Sequence, residues 1–455
     1  MAKRPANLLY GVDDKPPAGV LFLLGVQHVF LMSSTLVLPI VLVSEIGGSF
    51  GQVRAVVALT MIACGIGTIL QSLRSRWIGS GYLCPNLCGP NFFSASMEAA
   101  WLGGLPLMRG MTIAAGLVEV LFARAIHRIR FLFPPEITGL VVLMVAISLV
   151  PLGASKALGV SYEGEPTRGV NLLVTALTVL IMVGVNVRGR GKIKLYSVLI
   201  GMGCGYLMAW AAGLLTAAQF EQVAAAPWVA LPVFDGILSL SFDWALLPTF
   251  IIVSITGALK SFGNLIMCEK VNDAEWKGPD MERISGGLVA DAACVTASGL
   301  LGGVASDTSA SNVGLSSASG ATSRRIGFMA GALFIGLAFS PKISSLLSIM
   351  PMPVMGAILI FVTCFMIMSG VQIILGSGVD QRKTFIIGIA LIFGLSLDIM
   401  PSMYAGVPHG LRPLLASSLT LSTVLAVVLN QLLRPPGPES RGAAVPGPKT
   451  PEDHG

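Results

Sequence analysis

Apolar residues fall along this chain in long runs separated by short polar links. A helix needs roughly 20 mostly apolar residues to cross a bilayer. Such runs occupy residues 19–43, 51–72, 84–100, 106–126, 137–155, 168–187, 195–216, 245–268, 285–303, 306–322, 325–346, 353–375, 382–399 and 411–433. The pattern predicts an all-α polytopic membrane protein with about fourteen transmembrane segments. The first run extends well past a signal-peptide core with no small-residue cleavage site before its end, so it is expected to stay in the mature protein. Residues 435–455, rich in Pro, Gly and charge, are expected to be disordered.

Composition agrees. Of 455 residues, 54% are hydrophobic and 11% charged, where soluble domains carry roughly 25% charge. Mean hydropathy is +0.81. The net charge of +6 resides in short clusters between runs: Arg74 and Arg76; Arg124, Arg128 and Arg130; Arg188, Arg190, Lys192 and Lys194; Arg324 and Arg325; Arg382 and Lys383. Other loops carry Glu163, Glu165, Glu221, Asp235 and Asp243, and residues 269–283 mix both signs as an amphipathic connector. Bases bordering spans mark the cytoplasmic side of a membrane protein, although not every cluster here alternates sides; nothing points to nucleic acid as a partner. An even span count with Lys3 and Arg4 at the start predicts both termini in the cytoplasm and a multi-pass protein of the inner membrane.

The seven cysteines read as small buried hydrophobes. Cys84 and Cys88 stand alone as CxxxC, without a second ligand pair for a metal. No catalytic triad, His-rich cluster or phosphate cradle appears, which argues against an enzyme with a cofactor. A channel would need a charge ring or a repeated filter.

Two spans break the apolar pattern. The third reads Cys84-Pro85-Asn86-Leu87-Cys88-Gly89-Pro90-Asn91-Phe92-Phe93-Ser94, and the tenth Ser306-Asp307-Thr308-Ser309-Ala310-Ser311-Asn312-Val313-Gly314. Each opens with turn-prone residues and then turns helical. Irregular backbone at membrane depth survives only inside protein or along a cavity. Each is the third span of its half, and interrupted spans at matching positions point to a midplane binding site in a 7+7 inverted repeat. Their helix-start N–H groups suit carbonyl oxygens or anions. The plainer reading is a pair of polar helix-packing spans.

Four motifs in order then resemble the nucleobase–ascorbate transporter family, which includes xanthine and uracil permeases. They are Gln27-His28, Phe133-Pro134-Pro135, Ser311-Asn312-Val313-Gly314 and Pro351-Met352-Pro353-Val354-Met355-Gly356. The resemblance implies a core domain (19–130 and 241–347), a gate domain (131–240 and 348–434), cytoplasmic segments at 1–18 and 435–455, and short strands before the half-helices of spans three and ten. It also implies a nucleobase bound between the domains, coupling to H+ or Na+, and a homodimer through the gate. The chain departs from the family where the acid of span eight contacts the base. Lys260-Ser261-Phe262-Gly263-Asn264 stands there, and Ser311 replaces a second acid.

A lysine at mid-span costs about 2.5–3.5 kcal/mol to insert, so it should meet a partner or a cavity. Thr256, Lys260 and Asn264 share one helix face. Lys260 is therefore either a substrate or coupling group, or the partner of Asp307 or Asp291. The expected substrate-binding set is Lys260, Asn264, Phe92, Ala310, Ser311 and Asn312, with His28 and Asp307 as coupling or charge-pair residues. Phe92 offers a ring for stacking or for packing, and His28 a group that titrates near neutrality or a polar packing residue. This donor-rich set favours xanthine, urate or uracil, rings rich in acceptors, over adenine or cytosine. The alternative cargo is a small organic or inorganic anion held by Lys260.

Overall fold

The computed structural model describes residues 4–5, 8–75, 77–129, 134–160, 168–189, 193, 196–232, 239–277, 279–376, 378, 380–404 and 418–433. Lys3, Arg76, Arg130, Phe133, Glu163, Glu165, Arg190, Lys192, Lys194, Asp235 and residues 411–417 and 435–455 lie outside them.

The chain is mostly helical. Helix α1 (Ala18–Ser33) passes through one 3-10 turn into α2 (Val37–Glu45), and α3 (Phe50–Ser72) leads to strand β1 (Asn86–Cys88) and α4 (Pro90–Ile129). There follow α5 (Pro135–Ser148), α6 (Val150–Leu158), α7 (Gly169–Arg188), α8 (Ser197–Ala211) and α9 (Ala217–Ala225). Next come α10 (Leu247–Asn272), α11 (Met281–Leu301), strand β2 (Ser306–Thr308), α12 (Ala310–Ser319), α13 (Arg324–Ala338) and α14 (Pro341–Ser348). The chain closes on α15 (Met352–Gly376), α16 (Gln381–Ile399) and α17 (Ser418–Leu432). Among the described residues, eight helical stretches are long and apolar enough to cross a membrane, and α13 with α14, bent by 79°, makes a ninth. Helices α8 and α17 are apolar but shorter.

Local sequence explains the ends. Ser49 and Gln52 cap α3 reciprocally: the Gln52 N–H donates to Ser49 Oγ and the Ser49 N–H to Gln52 Oε1. Asp280 caps α11 by accepting from the Arg283 N–H at 3.3 Å, so the connector expected at 269–283 shortens to 273–280. The helical part of the third apolar run and all of the fourth lie in α4, which breaks at Gly103 and Gly104, the latter at φ +68°. That break precedes Pro106, which has no N–H to give a helix interior and so falls in the first turn after it.

Helices sort into two packing groups. In one, α3 packs on α11 and α13, α4 on α10 and α11, and α1 on α13. In the other, α15 packs on α5, α6 and α7, α16 on α17, and α7 on α8. Each group has a crossing made by facing glycines. A Cβ on Gly65 would lie 2.8 Å from the Gly331 carbonyl oxygen, and one on Gly139 the same distance from that of Gly370. Lipid tails supply no hydrophobic drive between helices, so such close backbone approach is where packing attraction is gained.

Candidate functional site

The two broken spans meet at the centre of the first group. Strands β1 and β2 pair antiparallel with Asn86 opposite Thr308, Leu87 opposite Asp307 and Cys88 opposite Ser306. The ladder continues at both ends, where the Gly89 N–H donates to Ala305 O at 2.8 Å and the Ser309 N–H to Pro85 O at 2.9 Å. A Cβ on Gly89 would sit 3.1 Å from the Ser306 carbonyl carbon and 3.2 Å from the Asp307 nitrogen, so close strand approach selects glycine there. All six strand residues are buried. A two-stranded ribbon this short has no stability of its own, and side chains from α4, α10 and α11 hold it.

Two carboxylates organise those side chains. Asp307 Oδ2 accepts from Lys260 Nζ at 2.9 Å and from Asn91 Nδ2 at 2.8 Å. Asp291 Oδ1 accepts from Asn86 Nδ2 at 2.5 Å, and its Oδ2 from Ser261 Oγ. A directed chain runs between strand and helix. Asn264 Nδ2 donates to Thr308 Oγ1 at 2.9 Å, and Ser261 lies 2.7 Å from the same oxygen before donating to Asp291. The Gln27-His28 and Asn-x-Gly motifs touch, with His28 Nδ1 donating to Asn312 Oδ1 at 2.7 Å. Ser309 Oγ accepts both the Asn312 N–H at 3.2 Å and its side-chain amide at 2.9 Å.

The structure thus places the expected residues in two ways. Lys260 pairs with Asp307, not Asp291, and keeps 25% of its side chain exposed. Ala310 and Ser311, the first residues of α12, are exposed although they lie between apolar spans. Their N–H groups occupy the helix positions that the Ser309 cap leaves over. Of the expected set, these three keep exposed surface. Asn264, Asn312, Asp307, His28 and Phe92 are instead buried. Both asparagines are engaged with their neighbours, and the Phe92 ring lies against Gly257, where a Cβ would come within 3.1 Å of it. Of the Thr256–Lys260–Asn264 face, Lys260 and Asn264 reach β2 at Asp307 and Thr308, whereas Thr256 donates back to Ile252 O within its own helix.

Asn86, Asn91, Ser261 and Thr308 belong to the site, and sequence reasoning did not select them. Asn86 and Asn91 flank the Pro and Gly of the broken third span, which was the available signal.

The fold itself occurs in known transporters. The transmembrane domain of a cyanobacterium bicarbonate transporter, BicA, superposes with TM-score 0.59 at 13% identity, over 92% of this chain and 99% of that one. The murine Solute Carrier 26 family member A9 anion transporter gives TM-score 0.56 at 11% identity, over 92% and 69%. At such identities the likeness defines a class, the transporter fold, and leaves the cargo open. Sequence comparison goes further: the xanthine/uracil permease model, described as "Permease family", matches residues 19–403, and the chain belongs to that family. Relatives include Xanthine permease XanP of Escherichia coli (strain K12), 26% identical over 94% of this chain and 95% of that one. Uric acid permease PucJ of Bacillus subtilis (strain 168) is 27% identical over 90% and 91%. A putative purine permease of Clostridium perfringens is 27% identical over 94% and 93%.

Proposed function

We propose that this permease takes up a nucleobase rich in ring carbonyls, such as xanthine, urate or uracil, by alternating access. The observation that carries the reading is the exposed first turn of α12, which directly follows the strand that holds the Lys260–Asp307 pair. There, the N–H groups of Ala310 and Ser311 and the lysine ammonium offer donors and no competing base. The relatives' names, xanthine and uric acid permeases, support the same class. Labelled xanthine uptake should be competed by urate and uracil and spared by adenine and cytosine; competition by adenine alone would overturn it.

The antiparallel strand pair is what a 7+7 inverted repeat of fourteen spans would produce at its axis. In that scheme residues 19–130 and 241–347 form the core, and 131–240 and 348–434 the gate through which two copies pair. Both termini face the cytoplasm of the inner membrane, and H+ or Na+ drives uptake. Reporters fused at the two ends should report one side.

A small anion is the second reading, favoured by a partly exposed lysine and by the anion carriers that share the fold. Against it, the ammonium is already matched by Asp307, so Lys260 brings no surplus positive charge. Bicarbonate or sulfate should leave xanthine uptake unchanged.

A further inference from the structure

A buried acid in α4 stands outside every role assigned so far. Glu119 and Asp291 are both fully buried, and their carboxyls face each other between α4 and α11. Both oxygens of Asp291 already act as acceptors, one from Asn86 and one from Ser261. Neither oxygen of Glu119 meets a hydrogen-bond donor among the described residues. An ionised Glu119 would therefore be a bare charge beside a second carboxylate, at membrane depth. A neutral Glu119 has an O–H to donate, and an ionised carboxylate has lone pairs left after two donors. The other titratable groups facing the pair do not change this. They are Asp307 on β2, Cys294 on α11, Cys64 on α3 and Cys84 just before β1, and the Lys260 ammonium on α10 is held by Asp307.

We infer that Glu119 is the proton-binding site of this carrier: it donates its proton to Asp291 in the conformation seen, and losing that proton to water is the step coupled to cargo movement. The inference rests on the nucleobase-uptake reading above and supplies its driving ion. The connection to the cargo is short. Asp291 holds Asn86 of β1 directly and Thr308 of β2 through Ser261. A second negative charge at Glu119 would thus act on the two strands from which the half-helices start. Reprotonation from the acidic side restores the hydrogen bond, and no other reactant is needed.

Glu119→Gln keeps a neutral donor toward Asp291 and removes the titration. Two readouts separate the parts of the argument. Infrared spectroscopy of purified wild-type protein at neutral pH should show a protonated buried carboxyl whose band is lost in E119Q. In proteoliposomes, an imposed inside-alkaline gradient should accelerate wild-type xanthine uptake, while E119Q should lose that acceleration and keep xanthine counterflow. An unchanged infrared band in E119Q, or a wild type lacking one, overturns the proton assignment. A gradient response in E119Q equal to wild type overturns the coupling role. If E119Q does not fold, the wild-type band and its disappearance on raising pH decide the matter. Wild-type protein with the band but without xanthine transport would refute the cargo reading and leave the proton site standing.

Discussion

The two halves of the site share a shape and differ in chemistry. Each is a three-residue strand running straight into a helix, and the two strands form one antiparallel pair. Yet α4 opens on Pro90, Asn91, Phe92 and Phe93, all buried, whereas α12 opens on exposed Ala310 and Ser311. Proline at the first helical position has no N–H to offer. Serine at the cap of α12 takes the N–H of Asn312 and leaves the two before it. One half therefore braces the strand pair, with Asn91 reaching across to Asp307, and the other leaves its first-turn donors exposed. Pseudo-equivalent backbone does not imply equivalent roles, and substitutions in the two halves should separate them.

The largest effect belongs to the charge that spans the halves. Asp307 is fully buried and holds Lys260. Removing one member of a buried pair leaves an uncompensated charge and costs about 3–5 kcal/mol. Lys260→Met and Asp307→Asn should each lower thermal stability by that order and abolish uptake. The double variant should regain most of the stability without the uptake. A double variant no more stable than the singles would show that the pair is not the link between helix α10 and β2.

A smaller loss is expected on the bracing side. Gly89→Val would drive a branched side chain into the Ser306–Asp307 backbone, 3.1–3.2 Å from where a Cβ would stand. Overpacking of this kind costs about 1–3 kcal/mol. Smaller again is the cap of the presenting half: Ser309→Ala should cost about 0.5–2 kcal/mol. Unfolding midpoints in detergent measure both. If the Ser309 change proved the more damaging, the division into bracing and presenting halves would be reversed.

The contrast between halves also marks what was legible beforehand. Span positions were readable because the length of an apolar run is a one-dimensional signal, and α3, α7, α10 and α15 lie within a few residues of their runs. The broken spans were visible through Pro85, Gly89 and Pro90 and through the polar run from Ser306 to Ser311. The pairings inside them were not. Asn86 and Asp291 are 205 positions apart, and Asn91 and Asp307 are 216. Three-residue strands are too short to show a period that would say which side chain faces which helix. For the same reason Lys260 had two candidate partners until the folded chain set its Nζ 2.9 Å from Asp307 Oδ2. Glu119 was readable in principle as a lone acid within the apolar run 106–126, since an ionisable residue at membrane depth is a functional candidate by default.

The smallest stability effect should accompany the sharpest functional one, at Ser311. Its side chain is exposed in the first turn of α12, and surface substitutions away from special features stay within about 0.5 kcal/mol. Ser311→Trp should therefore leave the unfolding midpoint near wild type while covering the exposed first turn of α12 and stopping xanthine uptake. Ser311→Ala keeps the backbone N–H that the reading relies on, so it should transport with little change in apparent affinity. The matched change in the other half, Asn91→Ala, removes a buried donor to Asp307, so it should lower stability by about 1–3 kcal/mol. If Ser311→Trp transports normally, the cargo does not pass the first turn of α12. If Ser311→Ala loses uptake while Asn91→Ala is unaffected in both stability and rate, the hydroxyl rather than the backbone makes the contact, and the bracing role of Asn91 falls with it.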